Sequence, residues 1–155
     1  MLKIEMVLTR KQLKQFVKLP FTLYKDDPAW VPPLISEQYK FFNGRKNPYY
    51  WHSEVQLFIA LENDEVVGRI SAHTNTQHQK EHNEDIGFFG FFECVNDVRV
   101  AKELFKTAAE WNKQRGFAAM RGPMNFSVNQ EVGLLIDGFE RSPTFMITDF
   151  LVIIE

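Results

Sequence analysis

The sequence predicts one α/β (α+β) domain over residues 1–155, and three observations predict it. Two runs of alternating apolar and polar residues flank an Asn63-Asp64 pair that suits a hairpin turn. A long helical repeat of apolar residues follows between Asn96-Asp97 and Gly116. A short apolar run, 117–121, comes directly after it. With 45% hydrophobic and 25% charged residues the composition is that of a globular chain, not a disordered or fibrous one.

Taken in order, residues 2–8 alternate well enough for a strand. Thr9 then caps a helix. Gln12 completes a capping box, and Leu8 can staple to Leu13. Leu13, Phe16 and Val17 form the apolar stripe, Pro20 ends or kinks the helix, and a short second turn is expected at 21–24. Residues 26–33 carry three prolines and read as a connection. A helix is expected over 33–42, with Asn43-Gly44 as its stop. Residues 45–53 read as a loop. Its Tyr49, Tyr50 and Trp51 are either an aromatic cluster beneath that loop or the lip of a ligand site.

Strands are expected over 54–61 and 65–73, and the polar stretch 74–84 reads as a loop. Residues 85–94 form an apolar strand whose Gly87 and Gly90 signal a bulge or a close backbone approach. In the long helix, Ala101, Leu104, Phe105, Ala108 and Trp111 or Asn112 follow helical spacing, and Gly116 closes it. Residues 117–121 read as a strand, 125–132 as a loop or single helical turn, and 133–136 and 144–154 as short strand-like pieces. The apolar run 150–154 needs a partner strand to cover it, so a homodimer covering the C-terminal strands is expected.

The net charge is −2, which gives no support to a nucleic-acid partner. The charge is uneven, however. Residues 1–25 hold six Lys/Arg against Glu5 alone. That segment is either a solvated helix face or a patch that attracts an anionic ligand. The single cysteine, Cys94, excludes an internal disulfide and fits a reducing compartment. No signal-peptide core or bilayer-length apolar run is present, so a cytoplasmic protein with no membrane partner is expected.

The order strand, two helices, three-stranded meander, long helix, strand resembles the N-terminal and central part of the GNAT (N-acetyltransferase) superfamily. The hairpin from Ala60 to Ile70 looks like its second and third strands. More narrowly, the chain is similar to a bacterial group of uncharacterised GNAT-like proteins. The matching motifs are Asp27-Pro28-Ala29-Trp30-Val31-Pro32-Pro33-Leu34, Gly87-Phe88-Phe89-Gly90-Phe91-Phe92-Glu93, Arg121-Gly122-Pro123-Met124-Asn125-Phe126-Ser127 and Gly133-Leu134-Leu135-Ile136-Asp137-Gly138-Phe139. The resemblance implies a GNAT-like mixed sheet: an antiparallel meander followed by a helix and a parallel strand, incomplete at the C-terminus. Three departures stand out. Members of the group are longer, residues 149–155 do not look like their continuation, and the stretch Cys94 to Ala101 lacks the glycines of the superfamily's pyrophosphate loop.

The activity implied is transfer of an acyl group from acetyl-CoA or another acyl-CoA to an unknown amine. The alternative is a noncatalytic GNAT-like binding or assembly module. In the superfamily the cofactor lies in a splay between the fourth and fifth strands. Carried over, that implies Phe92 and Cys94 on one side and Arg121, Gly122 and Asn125 on the other. The amides of Val95, Asn96, Asp97 and Val98, with Arg99, would face the phosphates. Glu93 is the candidate base; its plainer readings are a strand-end carboxylate or a partner for Arg121. Arg121-Gly122-Pro123 reads equally as a strand-ending turn, and Asn125 and Asn129 as turn caps. In many relatives a tyrosine after the fifth strand acts as the acid, whereas here Tyr24, Tyr39, Tyr49 and Tyr50 all come earlier. Cys94 precedes a helix start, which can lower a thiol pKa, but it reads more simply as a small buried residue. His78 and His82, four apart, with His73 or Glu81, make a second alternative, a metal site; the default for the stretch is an exposed loop and no metal.

Overall fold

A computed structural model describes residues 1–127, 129–133 and 140. The element order is β1 (Leu2–Met6), α1 (Arg10–Leu23), α2 (Ile35–Phe41), β2 (Val55–Glu62), β3 (Glu65–His73), α3 (Thr76–His82), β4 (Ile86–Cys94), α4 (Val98–Lys113) and β5 (Ala119–Arg121), with a 3-10 turn at Pro48–Trp51. The five strands form one sheet in chain order. The first four are antiparallel, and β5 pairs with β4 in parallel, Ile86 opposite Ala119 and Phe88 opposite Arg121. The mixed sheet expected from the sequence is therefore present. The expected strand-like pieces at 134–136 and 144–154, and the dimer contact drawn from them, lie outside the described residues.

Local chemistry explains the elements. Thr9 Oγ1 accepts from Gln12 N while Gln12 Oε1 accepts from Thr9 N, which is the capping box. Asn63 and Asp64 both adopt positive φ, 51° and 65°, so the β2–β3 turn is the primed type that matches strand twist. Asp97 caps α4 by accepting from Arg99 N.

Four expectations need correction. Pro20 neither ends nor breaks α1, which runs on to Leu23. The helix expected over 33–42 is shorter, because Pro33 and Leu34 stay outside it and Leu34 provides no side-chain cap. The stretch 74–84 is not all loop. Asn75 Oδ1 accepts from Gln77 N and His78 N, starting α3, and Asn83 at φ 53° ends it. The 45–53 loop contains the 3-10 turn, capped by Asn47.

The sheet is covered on both faces. On one, Phe58, Ala60, Ile70, Ala72 and Phe89 pack against Val100, Leu104, Ala108 and Trp111 of α4. Gly68 lets α4 approach, since a Cβ there would lie 2.7 Å from Leu104 Cδ1. On the other, Phe16 and Val17 of α1 meet Phe42, Tyr49, Leu57, Ile59, Phe91 and Phe126. There Phe126 is sandwiched between Phe41 and Tyr49, ring centroids 4.9 and 4.8 Å away. Tyr49 and Tyr50 thus belong to a packed aromatic cluster, while Trp51 is exposed.

Candidate functional site

The site is built around an irregularity in β4. Strand alternation would place Glu93 on the α4 face, together with Phe89. It does not, because Arg69 pairs with Glu93 and Ser71 with Gly90, leaving Phe91 and Phe92 opposite Ile70 alone. This is a β-bulge, and Phe91 within it has φ 49°. The extra residue reverses the inside-out order, so Phe92 packs on Phe105 of α4 and Glu93 turns to the α1 face.

Two contacts hold the bulge. Asn125 Oδ1 accepts from Phe91 N at 2.7 Å, and Met124 N donates to Phe89 O at 2.8 Å. Gly90 permits the second approach, since a Cβ there would come within 2.0 Å of Met124 O. The expectation for Gly87 and Gly90 is borne out in both forms, a bulge and close approaches; Gly87 faces the buried Asn112 side chain.

Glu93 then meets three groups. Arg69 Nη2 donates to Glu93 Oε1 at 3.2 Å. Arg69 Nη1 donates to Phe16 O at 2.9 Å, and the guanidinium lies 5.0 Å from the Phe16 ring centroid. Phe16 O is free to accept because the residue four ahead in α1 is Pro20, which has no N–H. The buried arginine fills the gap that the proline leaves, which is why α1 continues. Third, Tyr24, at the end of α1, places its phenol beside the same carboxylate and is coupled to it.

Burial dominates the electrostatics here. It pushes the Glu93 carboxyl above its ordinary range, with Arg69 and Tyr24 opposing. Burial and the Glu93 charge also push the Tyr24 phenol well up, so it stays protonated. Glu93 Oε2 is buried and makes no hydrogen bond among the described residues.

The structure brings some of the sequence-derived candidates together and directs others elsewhere. Glu93 does not pair with Arg121. Arg121 Nη1 instead donates to Glu84 Oε2 at 3.0 Å, and Glu84 also meets His78 Nε2 at 3.0 Å. Gly122 passes close over Phe89 O, and Asn125 spends its amide on Phe91 and on Glu131 Oε2. These three residues therefore close β5 and its extension onto β4 as far as Phe91. Beyond that point Phe92 to Cys94 have no β5 partner. Val95 N donates to Val67 O on the β3 side, so strand alternation turns the Cys94 amide to the unpaired edge.

At the start of α4, the Val95 and Asp97 amides bond to Val67 O and Val95 O, so they are not free. The Asp97 carboxylate takes Arg99 N at 2.8 Å and the Arg99 guanidinium at 2.6 Å. Val98 and Asn96 are both exposed. The Cys94 thiol is pushed up, by burial first and then by Asp97 and Glu93, which argues against a nucleophile.

The histidines separate. His78 and His82 share a face of α3 with centroids 4.4 Å apart. His73 is fully buried in the aromatic cluster, stacked on Phe88. Among the described residues no group of three His, Cys, Asp or Glu side chains could hold a metal, and no helix is long and apolar enough to cross a membrane.

Sequence reasoning missed Arg69 and Tyr24. Arg69, Ser71 and His73 alternate with apolar residues, yet all three are buried, Arg69 against Phe16 of α1 and His73 among Tyr49, Phe88 and Phe126. The one usable signal was Pro20 inside a helical pattern, which demands a foreign donor for Phe16 O.

No family model matches the chain. It is 38% identical over 139 residues to Protein YghO of Escherichia coli (strain K12), covering 90% of this chain and 35% of that protein. It is 40% identical over 139 residues to the bacterial ceramide synthase of Caulobacter vibrioides (strain NA1000 / CB15N), covering 88% and 36%. The chain thus spans about a third of the length of both relatives. Among solved structures it superposes on the tandem GNAT protein of the clavulanic acid biosynthesis pathway with TM-score 0.59, at 12% identity, covering 74% of this chain and 34% of that one. It superposes on the aminoglycoside acetyltransferase AAC(6')-Iy, in complex with a CoA-containing bisubstrate analogue, with TM-score 0.53, at 16% identity, covering 77% of both chains.

Proposed function

The chain has the fold of the GNAT acetyltransferases, and from that premise we propose that it carries the catalytic carboxylate and donor edge of an N-acyltransferase. The acceptor we propose is a long-chain amine, because a ceramide is an amide of a long-chain amino alcohol and one relative is a ceramide synthase. The observation that carries the reading is Glu93. A bulge turns it from the α4 face to the α1 face, burial raises its pKa, and it adjoins the unpaired end of β4.

Only part of this surface fits a coenzyme A thioester. The edge Phe92–Cys94, with an outward amide at Cys94, suits an extended pantetheine arm. The start of α4 does not suit a diphosphate, because Asp97 already places a carboxylate on its first amides. A bound acyl-CoA would supply an activated acyl carbon. The protein's own contribution is proton handling and orientation. Glu93 takes the proton that an ammonium acceptor must lose. Arg69 fixes one carboxylate oxygen, and Oε2 has no hydrogen-bond partner among the described residues. Tyr24, held protonated, supports the carboxylate.

The test is Glu93→Gln, assayed by thiol release from acyl-CoA with amine acceptors. The expected loss in kcat is about 10²–10⁴-fold, larger than the stability lost by leaving Arg69 without its carboxylate explains. An unchanged rate would refute the assignment. A noncatalytic module is the second reading, favoured by Asp97 at the α4 start. It predicts that millimolar acetyl-CoA leaves the melting temperature unmoved, whereas the enzyme reading predicts a rise.

A further inference from the structure

The basic N-terminal segment has no part in the site just described, and the structure shows where its charge lies. Arg10, Lys11, Lys14 and Lys18 are all exposed on α1. At 100° per residue they occupy one flank of the helix, beside the buried stripe of Phe16, Val17 and Leu19. None of the four enters an ion pair with a described residue. The first turn of α1 contains no acidic residue.

Apolar side chains stand beside these cations. Leu8, just before the cap, is 76% exposed, and Met6 is 48% exposed. A groove of about 310 Å³ runs from Leu8 and Arg10 across Leu13 and Val55 to Tyr50. The residue after Tyr50 is Trp51, 77% exposed, and Arg45 and Lys46 lie exposed just before that turn.

We propose that this end of α1, with Leu8 and Trp51, is a docking surface for an anionic lipid bilayer. Unpaired cations supply attraction to acidic headgroups, and two exposed apolar groups, a leucine lining the groove and an indole one residue after Tyr50, supply shallow insertion, the two signals that stable peripheral binding needs. The apolar face of α1 is already buried against the sheet, so the helix lies on the surface and does not enter it. The exposed aliphatic Leu8 and Met6 beside the cations favour a lipid over a nucleic acid, which could use the charges and the indole but not the aliphatic groups. Such docking departs from the sequence-based expectation of no membrane partner. It does not depend on the catalytic reading, because binding is measured directly.

The experiment is co-sedimentation with vesicles of phosphatidylcholine alone and of phosphatidylcholine with phosphatidylglycerol, at low and high salt. Binding is expected only to the mixed vesicles, falling at least tenfold as salt rises to about 0.5 M. The quadruple variant R10E/K11E/K14E/K18E is expected to bind about a hundredfold less well. L8S/W51S is expected to lose about tenfold and keep its salt dependence. Equal binding to both vesicle types, no binding to either, an unaffected quadruple variant, or tighter binding to RNA than to mixed vesicles would each overturn the proposal. The salt series on the unmodified chain keeps the test decisive even if a variant misfolds.

Discussion

The two faces of the sheet are built differently. The α4 face is apolar packing with the helix drawn close by Gly68: Val100, Leu104 and Ala108 over Ala60, Ile70 and Ala72, flanked by Phe58, Phe89 and Trp111. The α1 face is aromatic and contains the buried polar groups Arg69, Ser71 and His73, joined by Glu93 through the β4 bulge. Burying apolar groups stabilises with little geometric demand. Burying charge is tolerated only when the geometry is specific. One face therefore serves stability, and the other holds groups whose proton affinities are displaced, as catalytic groups require.

That contrast can be broken in four ways. The largest effect concerns His73. Burial lowers its pKa to about 3, against 6.5 when free. The unfolded chain therefore binds its proton first as pH falls. Stability is complete above about pH 6.5 and declines toward pH 3, by up to about 5 kcal/mol. Denaturant unfolding over a pH series is expected to show His73→Phe losing less stability in that window than the unmodified chain.

Next, Arg69→Met leaves Glu93 buried without its cation and Phe16 O without a donor. A cost of about 3–5 kcal/mol is expected. Adding Glu93→Leu is expected to return much of it, and a double-mutant cycle measures the coupling. Leu104→Ala on the opposite face is expected to cost about 2–5 kcal/mol through a cavity. It should leave the pH dependence of stability and of any transfer rate unchanged, since no titrating group touches it. The smallest change is Asn125→Ala. It strands the Phe91 amide, at about 1–3 kcal/mol, and releases the bulge. Thiol-release kinetics are expected to show a lower kcat that exceeds what the stability loss explains, because Glu93 is no longer aimed.

Much of the α4 side was legible in the sequence. Apolar spacing from Ala101 to Trp111, a cap at Asn96 or Asp97 and the Asn63-Asp64 turn are local signals, and each names its element. The α1 side was less so. Pro20 reads as a break until Arg69 reaches across from β3, residues apart in the chain but adjacent in space. Tyr24 looks remote from the fourth strand until α1 lies along the sheet. The short helix α3 depended on Asn75 and Asn83, whose capping geometry a polar stretch disguises.

Periodicity, caps and turn residues established the number, type and order of the elements, because those preferences act over a few neighbouring residues and need no partner. The direction in which Glu93 points was settled only by assembly. One extra residue at Phe91, held by Asn125 from 34 positions further along, decides which face receives the carboxylate. A strand's own two-residue alternation contains no information about such an insertion.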